Sequence, residues 1–162
     1  MLCLASRAIE PNRGHEAGRA LLAELYRAET GRELPPILVT DRGKPYLKGD
    51  ALHFSVSHTR GHVFVALSDR LIGIDAEEQD RPIRLELAEK ILSPAEKARY
   101  EAVTDKRTVL LKLWVVKEAW VKYTGEGLRG YPNQTDFSPD DPRLFVRDGC
   151  YVAVMEEDEY AV

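Results

Sequence analysis

Cysteine is nearly absent. Cys3 and Cys150 stand at opposite ends of the chain with no CxxC spacing, which argues against a disulfide framework or a zinc site and suits a reducing, cytoplasmic setting. Long apolar runs are absent as well. MLCLASRAIE is apolar for only a few residues before Arg7 and Glu10, and no stretch approaches the ~18 apolar residues of a membrane span, so neither a secretory signal nor a membrane partner is expected. There is no strong excess of one charge: the net charge is −4 with 31% charged residues. A surface built to neutralise nucleic-acid phosphates is therefore not expected. Low-complexity tracts, linkers and defensible internal repeats are also missing. What is present is 44% apolar residues over 162 positions, enough for one core or for two small halves sharing an interface.

The most informative stretch is LLKLWVVKEAWVKYTGEGL, Leu110 to Leu128, which has no proline and no glycine before Gly125. It predicts one long helix stopped by glycine. Leu110, Leu113, Val116, Trp120 and Tyr123 form an apolar stripe, and Trp114, Glu118 and Lys122 fall at i, i+4 and i+8 on a neighbouring line, flanked by Lys117. Taken alone, a carboxylate one turn from an ammonium is a surface pair worth ~0.3–0.5 kcal/mol.

The rest of the chain reads as strands around one early helix, then helices, then a hairpin. Leu2 to Ile9 is a candidate strand, and His15 to Thr30 a helix stopped by Gly31. Ile37 to Thr40, Leu52 to Ser57, Val63 to Ser68 and Leu71 to Glu77 have strand character, with Asp41 to Pro45 as a turn. Leu85 to Leu92 is a short helix. Ser93-Pro94-Ala95-Glu96 has the form of a helix start, with serine as cap, proline first and glutamate third. Leu144 to Val146 and Tyr151 to Met155 flank Asp148-Gly149, a hairpin signal. This order implies an α+β fold of two small halves packed together.

Asp75 and Glu77 are one residue apart at the end of an apolar strand, so both carboxylates face the same side. Two close carboxylates suit a divalent cation with oxygen ligands, or they are solvated acids opening the acidic run that continues to Asp80. Ser57-His58 at a strand end can bind phosphate oxygens, and no G-x-S-x-G elbow supports a nucleophilic serine. Lys44, Lys117 and Lys122 taken singly are ordinary charged residues.

Together, GKPYL (Gly43–Leu47), FSVSHT (Phe54–Thr59), IGIDAE (Ile72–Glu77), LSPAEKARY (Leu92–Tyr100) and LWVVKEAWVKYTGEGL (Leu113–Leu128) resemble the 4′-phosphopantetheinyl transferase family, the Sfp-like type. The resemblance implies two similar α+β halves related by a pseudo-twofold axis, residues 1–73 on the coenzyme A side and 74–162 with the metal and the catalytic helix, the boundary lying near Gly73. It implies transfer of the phosphopantetheine arm from coenzyme A to a serine of an apo acyl or peptidyl carrier protein, releasing adenosine 3′,5′-bisphosphate. Carried over by position, Asp75, Glu77 and Glu118 would hold magnesium or manganese. Glu118 would also assist deprotonation of the serine, and Lys122 would stabilise the pyrophosphate and leaving group. Ser57, His58, Lys44, Lys117 and Lys122 would contact coenzyme A, with Arg19 at its 3′-phosphate.

About 14 residues precede the first helix, fewer than the family usually carries, and Arg13 is a candidate replacement for missing phosphate contacts. Lys97, Arg99, Lys106 and Arg107 are expected to form a basic rim that steers an acidic carrier protein. A monomer is expected. Two other readings stay open. One is a non-catalytic coenzyme A or carrier-protein binding module of the same fold. The other is a magnesium-dependent phosphohydrolase acting on a nucleotide.

Overall fold

A computed structural model describes residues 1–127 and 132–158. Leu128, which closes the long-helix motif, and the last four residues of the expected C-terminal half lie outside the described residues. In chain order the elements are β1 (Leu2–Ala8), α1 (Gly14–Thr30), β2 (Ile37–Val39), β3 (Pro45–Leu47), β4 (His53–His58), β5 (His62–Ser68) and β6 (Ile72–Glu78). A 3₁₀ turn (Leu85–Leu87) leads to α2 (Ala88–Ile91), α3 (Pro94–Glu101) and α4 (Lys106–Thr124). A second 3₁₀ turn (Pro132–Gln134) precedes β7 (Leu144–Arg147) and β8 (Cys150–Glu156).

Two three-stranded antiparallel sheets carry the fold, ordered β1-β5-β4 and β6-β8-β7. Each is built from a first strand, a long helix and a closing hairpin whose last strand takes the centre. The layers run α1, first sheet, second sheet, α4. Strand β5 is buried on both faces: Val63, Val65 and Leu67 pack on Leu21, Leu22 and Tyr26 of α1. Phe64 and Ala66 face the other way, onto Ile72, Ile74 and Ala76 of β6 and Val152 and Val154 of β8. Ala153 and Met155, on the opposite face of β8, pack on Val115, Val116 and Ala119 of α4. The period of two therefore assigns each strand residue to one of two cores.

The sheets meet where β4 runs beside β6, and serine hydroxyls make the junction. The Ile74 N–H donates to Ser55 Oγ at 3.0 Å and the Ala76 N–H to Ser57 Oγ at 3.1 Å. Burying those two N–H groups without partners would cost about 1–3 kcal/mol each, so the alternating serines of FSVS hold the two sheets together.

Local signals explain most boundaries. Ser93 and Glu96 form the reciprocal capping box, with Pro94 opening α3. The hairpin turn Asp148-Gly149 has positive φ at both residues, 52° and 73°, the type I′ geometry that suits strand twist. Two differences from the sequence reading have simple causes. Helix α4 starts at Lys106 rather than near Leu110, because Asp105 caps it there: its carboxylate accepts the Thr108 N–H at 3.1 Å. Pro45 to Leu47 continues past the turn as β3, an edge strand paired with β2, where a leading proline is tolerated.

Helix α4 lies directly on β6 at Gly73. A Cβ there would stand 2.3 Å from both the Ala119 carbonyl oxygen and the Tyr123 nitrogen. Both are backbone atoms, so nothing flexible can yield. Gly73→Ala is expected to destabilise the fold by about 3 kcal/mol, the upper end for overpacking a core. A urea midpoint unchanged from wild type would show that α4 does not sit this close.

Candidate functional site

The contact at Gly73 sets α4 antiparallel to β6, and the polar line of the helix then runs along the acidic face of the strand. The Lys122 ammonium donates to Asp75 Oδ1 at 2.9 Å and to the Val56 carbonyl at 3.5 Å. Two turns earlier, the Trp114 side chain faces Glu77 and acts to lower its pKa. Glu118 lies between them on the same line. Ser57 donates its hydroxyl to Asp75 Oδ1 at 3.2 Å, so the junction between sheets also touches the site. Asp75 is buried, and its second oxygen, Oδ2, is a buried atom with no hydrogen-bond partner among the described residues.

Electrostatics mark the same group. Burial raises the pKa of Glu118, and the charges of Asp75 and Glu77 push it further up against the opposing pull of Lys122. Burial and Asp75 likewise raise Glu77, while Arg81 draws it back. Desolvation and like charge thus act together on neighbouring carboxyls, the pattern of a site rather than of a solvated surface.

Three carboxylates, one with a bare buried oxygen, are a hard-oxygen donor set of the kind magnesium takes. In their present arrangement Lys122 neutralises Asp75 and Arg81 is ion-paired with Glu77. Among the described residues, no group of three His, Cys, Asp or Glu side chains converges tightly enough to hold a metal as placed. The donor chemistry fits; to converge on one ion, the carboxylates have to exchange these internal cations for it.

Beyond Glu77 the end of β6 opens on a cleft of about 710 Å³ that includes Gly14, His15, His58, Thr59, Arg60 and Arg81. The start of α1, the end of β4 and the end of β6 meet there. His58 is exposed, and its ring lies against Gly14, where a Cβ would come within 2.4 Å of Cγ and Nδ1. Arg19 is exposed on α1 one turn beyond His15, outside the lining of that cleft.

Two expected coenzyme A contacts are placed elsewhere. Lys117 is not on the polar line. Its side chain is 1% exposed and ion-paired at 2.6 Å with Glu96, itself fully buried. Lys117 also donates to the Thr135 carbonyl at 2.7 Å. Burial lowers its pKa, with Glu96 opposing. A lysine directly preceding Glu118 in the chain points about 100° away around the helix, into the core beneath α3. Lys44 spends its ammonium on the backbone carbonyls of Lys122, Tyr123 and Ile72, at 2.8, 2.8 and 3.2 Å, so no N–H remains for a phosphate. Burial brings its pKa down to about 8.

The expected basic rim is also engaged internally. Lys97 pairs with Glu89, Arg99 donates to the Phe137 carbonyl, and Lys106 caps the end of α3 at Tyr100 and Glu101. Arg107 bonds the carbonyls of Gln79 and Arg81 at 3.0 Å each and so ties down the loop that leaves the acidic strand. Arg81 was not singled out in the sequence, and neither Trp114 nor Arg107 was read there as a contact of the acidic strand or its loop. Arg81 falls at i+4 from Glu77, a spacing that signals a partner on a helix but not at a strand end; only the turn after β6 brings the two together.

Residues 71–149 match the sequence model of the 4′-phosphopantetheinyl transferase superfamily. The chain is 33% identical over 93 residues to the 4′-phosphopantetheinyl transferase of Bacillus subtilis, a match covering 56% of this chain and 41% of that protein. It is 36% identical over 89 residues to the 4′-phosphopantetheinyl transferase psf-1 of Bacillus pumilus, covering 53% and 38%. To the 4′-phosphopantetheinyl transferase HetI of Nostoc sp. it is 32% identical over 130 residues, covering 74% and 54%. The chain thus spans about half or less of the length of these curated relatives.

The position of Lys117 can be tested. Lys117→Met leaves Glu96 as an uncompensated buried charge and is expected to cost about 3–5 kcal/mol of stability, read as a lowered urea midpoint. An undiminished midpoint would return Lys117 to the candidate substrate contacts.

Proposed function

We propose that this chain transfers the 4′-phosphopantetheine arm of coenzyme A to a serine of an apo acyl or peptidyl carrier protein, releasing adenosine 3′,5′-bisphosphate, with magnesium or manganese as cofactor. The observation that carries this reading is the registry of Glu118 and Lys122 along Glu77 and Asp75, with Trp114 beside Glu77, within the segment that matches the superfamily model. The relatives, 4′-phosphopantetheinyl transferases by name, support the same reaction.

In this reading Asp75, Glu77 and Glu118 hold the cation, which supplies charge neutralisation at the pyrophosphate. Glu118, whose carboxyl is raised by burial and by Asp75, is the proton acceptor for the carrier serine. The serine oxygen forms a bond to the β-phosphorus, the bond from that phosphorus to the bridging oxygen breaks, and its electron pair leaves with adenosine 3′,5′-bisphosphate. Lys122 moves from Asp75 to balance that charge. Such a displacement needs positioned cations more than a covalent nucleophile. His58 and Arg19 are assigned to the phosphates of coenzyme A at the mouth of the cleft by α1, and Ser57 acts by holding Asp75 in place. The two sheets, built in the same order, are read as halves related by a pseudo-twofold axis with their boundary near Gly73. A monomer carrying both halves, working in the cytoplasm without nucleic acid or membrane, completes the picture.

Intact-mass spectrometry of an apo acyl carrier protein incubated with this protein, coenzyme A and magnesium is expected to show the gain of one phosphopantetheine, lost on adding a chelator. Glu118→Gln and Asp75→Ala should each lower the rate by about 100-fold or more with the fold retained. Full activity in either variant would remove the cation-site assignment. No gain with any carrier, while coenzyme A still binds, would favour a binding module of the same fold. Lys122→Ala should reduce turnover more than it weakens coenzyme A binding; an unchanged turnover would count against its role.

A further inference from the structure

Lys44 lies in the turn between β2 and β3, almost 80 residues before the end of α4, yet its ammonium closes that helix. An ammonium has three N–H donors, and here each has an acceptor: the carbonyls of Lys122, Tyr123 and Ile72. The first two belong to the last turn of α4, whose carbonyls have no intrahelical partner and carry the negative end of the helix dipole. The third opens β6, three residues before Asp75. One cation therefore ties together the β2–β3 ribbon, the last turn of the helix bearing Glu118 and Lys122, and the strand bearing Asp75. Its stem is seated against Gly125, where a Cβ would come within 2.9 Å of Lys44 Cδ. Nearby charges are accounted for: Arg42, from the same turn, pairs with Glu126 just past the helix, and the Lys122 ammonium is on Asp75.

The grip falls on the residue whose side chain matters. The carbonyl of Lys122 is held by Lys44, while its Nζ reaches Asp75 and the Val56 carbonyl. Residues 44, 56 and 122 line one cleft of about 310 Å³ with Gly125. Loosening the carbonyl end frees the last turn of α4 to fray, and the ammonium moves with it.

We infer that Lys44 is a positioning residue that fixes Lys122 over Asp75 by clamping the last turn of α4 to the start of β6, and that its ammonium is not a coenzyme A phosphate contact. The inference rests on the reading of Lys122 given above. Lys44→Met keeps the stem and removes the donors. In the full chain, with coenzyme A and apo acyl carrier protein, kcat is expected to fall about tenfold or more while KM for coenzyme A stays within about threefold. In a Lys122→Ala background the same change should cost little further, because its effect passes through Lys122. Amide hydrogen exchange at residues 121–125 should accelerate in Lys44→Met. A raised KM with kcat intact would make Lys44 a substrate contact and overturn the inference, as would losses that multiply with those of Lys122→Ala. If Lys44→Met does not fold, Lys44→Gln is expected to show the same split. If the wild type transfers nothing, the proposed reaction fails while the clamp is still judged by exchange: unchanged protection at residues 121–125 overturns it, and accelerated exchange sustains it.

Discussion

The close seating of α4 on β6 at Gly73 governs the rest of the molecule. A glycine on the helix-facing side of β6 removes the one atom that would hold the two backbones apart. With that spacing set, the 3.6-residue period of the helix and the two-residue period of the strand come into register over about two helical turns. Lys122 then meets Asp75, Trp114 meets Glu77, and Glu118 is caught between two acids. Lys44 secures the same juncture from the helix end, and the Ser55 and Ser57 hydroxyls secure β6 from its free edge.

Polar satisfaction is distributed unevenly: among the described residues the buried side-chain atoms without a hydrogen-bond partner are His62 Nδ1 and, in the candidate site, Asp75 Oδ2. Beneath α3, Glu96 accepts from the Ser93 and Phe137 N–H groups and from Lys117, and Lys117 reaches on to Thr135. That buried pair has its neighbours' hydrogen bonds around it, the condition under which burial of charge is tolerable. It draws residues 135–137 onto the helices. At Asp75 the accounting is left open: one oxygen has Lys122 and Ser57, and the other has no partner among the described residues. A scaffold completes its hydrogen bonds, whereas a site keeps acceptors for something that arrives later.

The resemblance and the geometry inform each other through position. The segment matched to the superfamily starts one residue before β6 and ends in the β7–β8 turn, so it spans the acidic strand, α4 and the hairpin on which α4 packs. The first sheet and α1 contribute the serine junction, His58 and the far wall of the cleft. The two three-stranded sheets meet along β4 and β6, and the candidate site lies where they meet.

Sequence alone determined what depends on short-range chemistry. The alternation of IGIDAE, the capping box of Ser93 and Glu96, the turn at Asp148-Gly149 and the stop at Gly125 are all written in neighbours, and the structure carries each of them. The i, i+4, i+8 line of Trp114, Glu118 and Lys122 was equally legible, because helical spacing is fixed by backbone geometry. Tertiary structure alone decided which lysine does what. Lys44, Lys117 and Lys122 look alike in a string of letters, yet one clamps a helix end, one is buried against Glu96, and one reaches Asp75. Their sequence neighbours hold no sign of this, since a lysine's role depends on which carbonyls and carboxylates a fold brings within hydrogen-bond reach from residues 18 to 79 positions away.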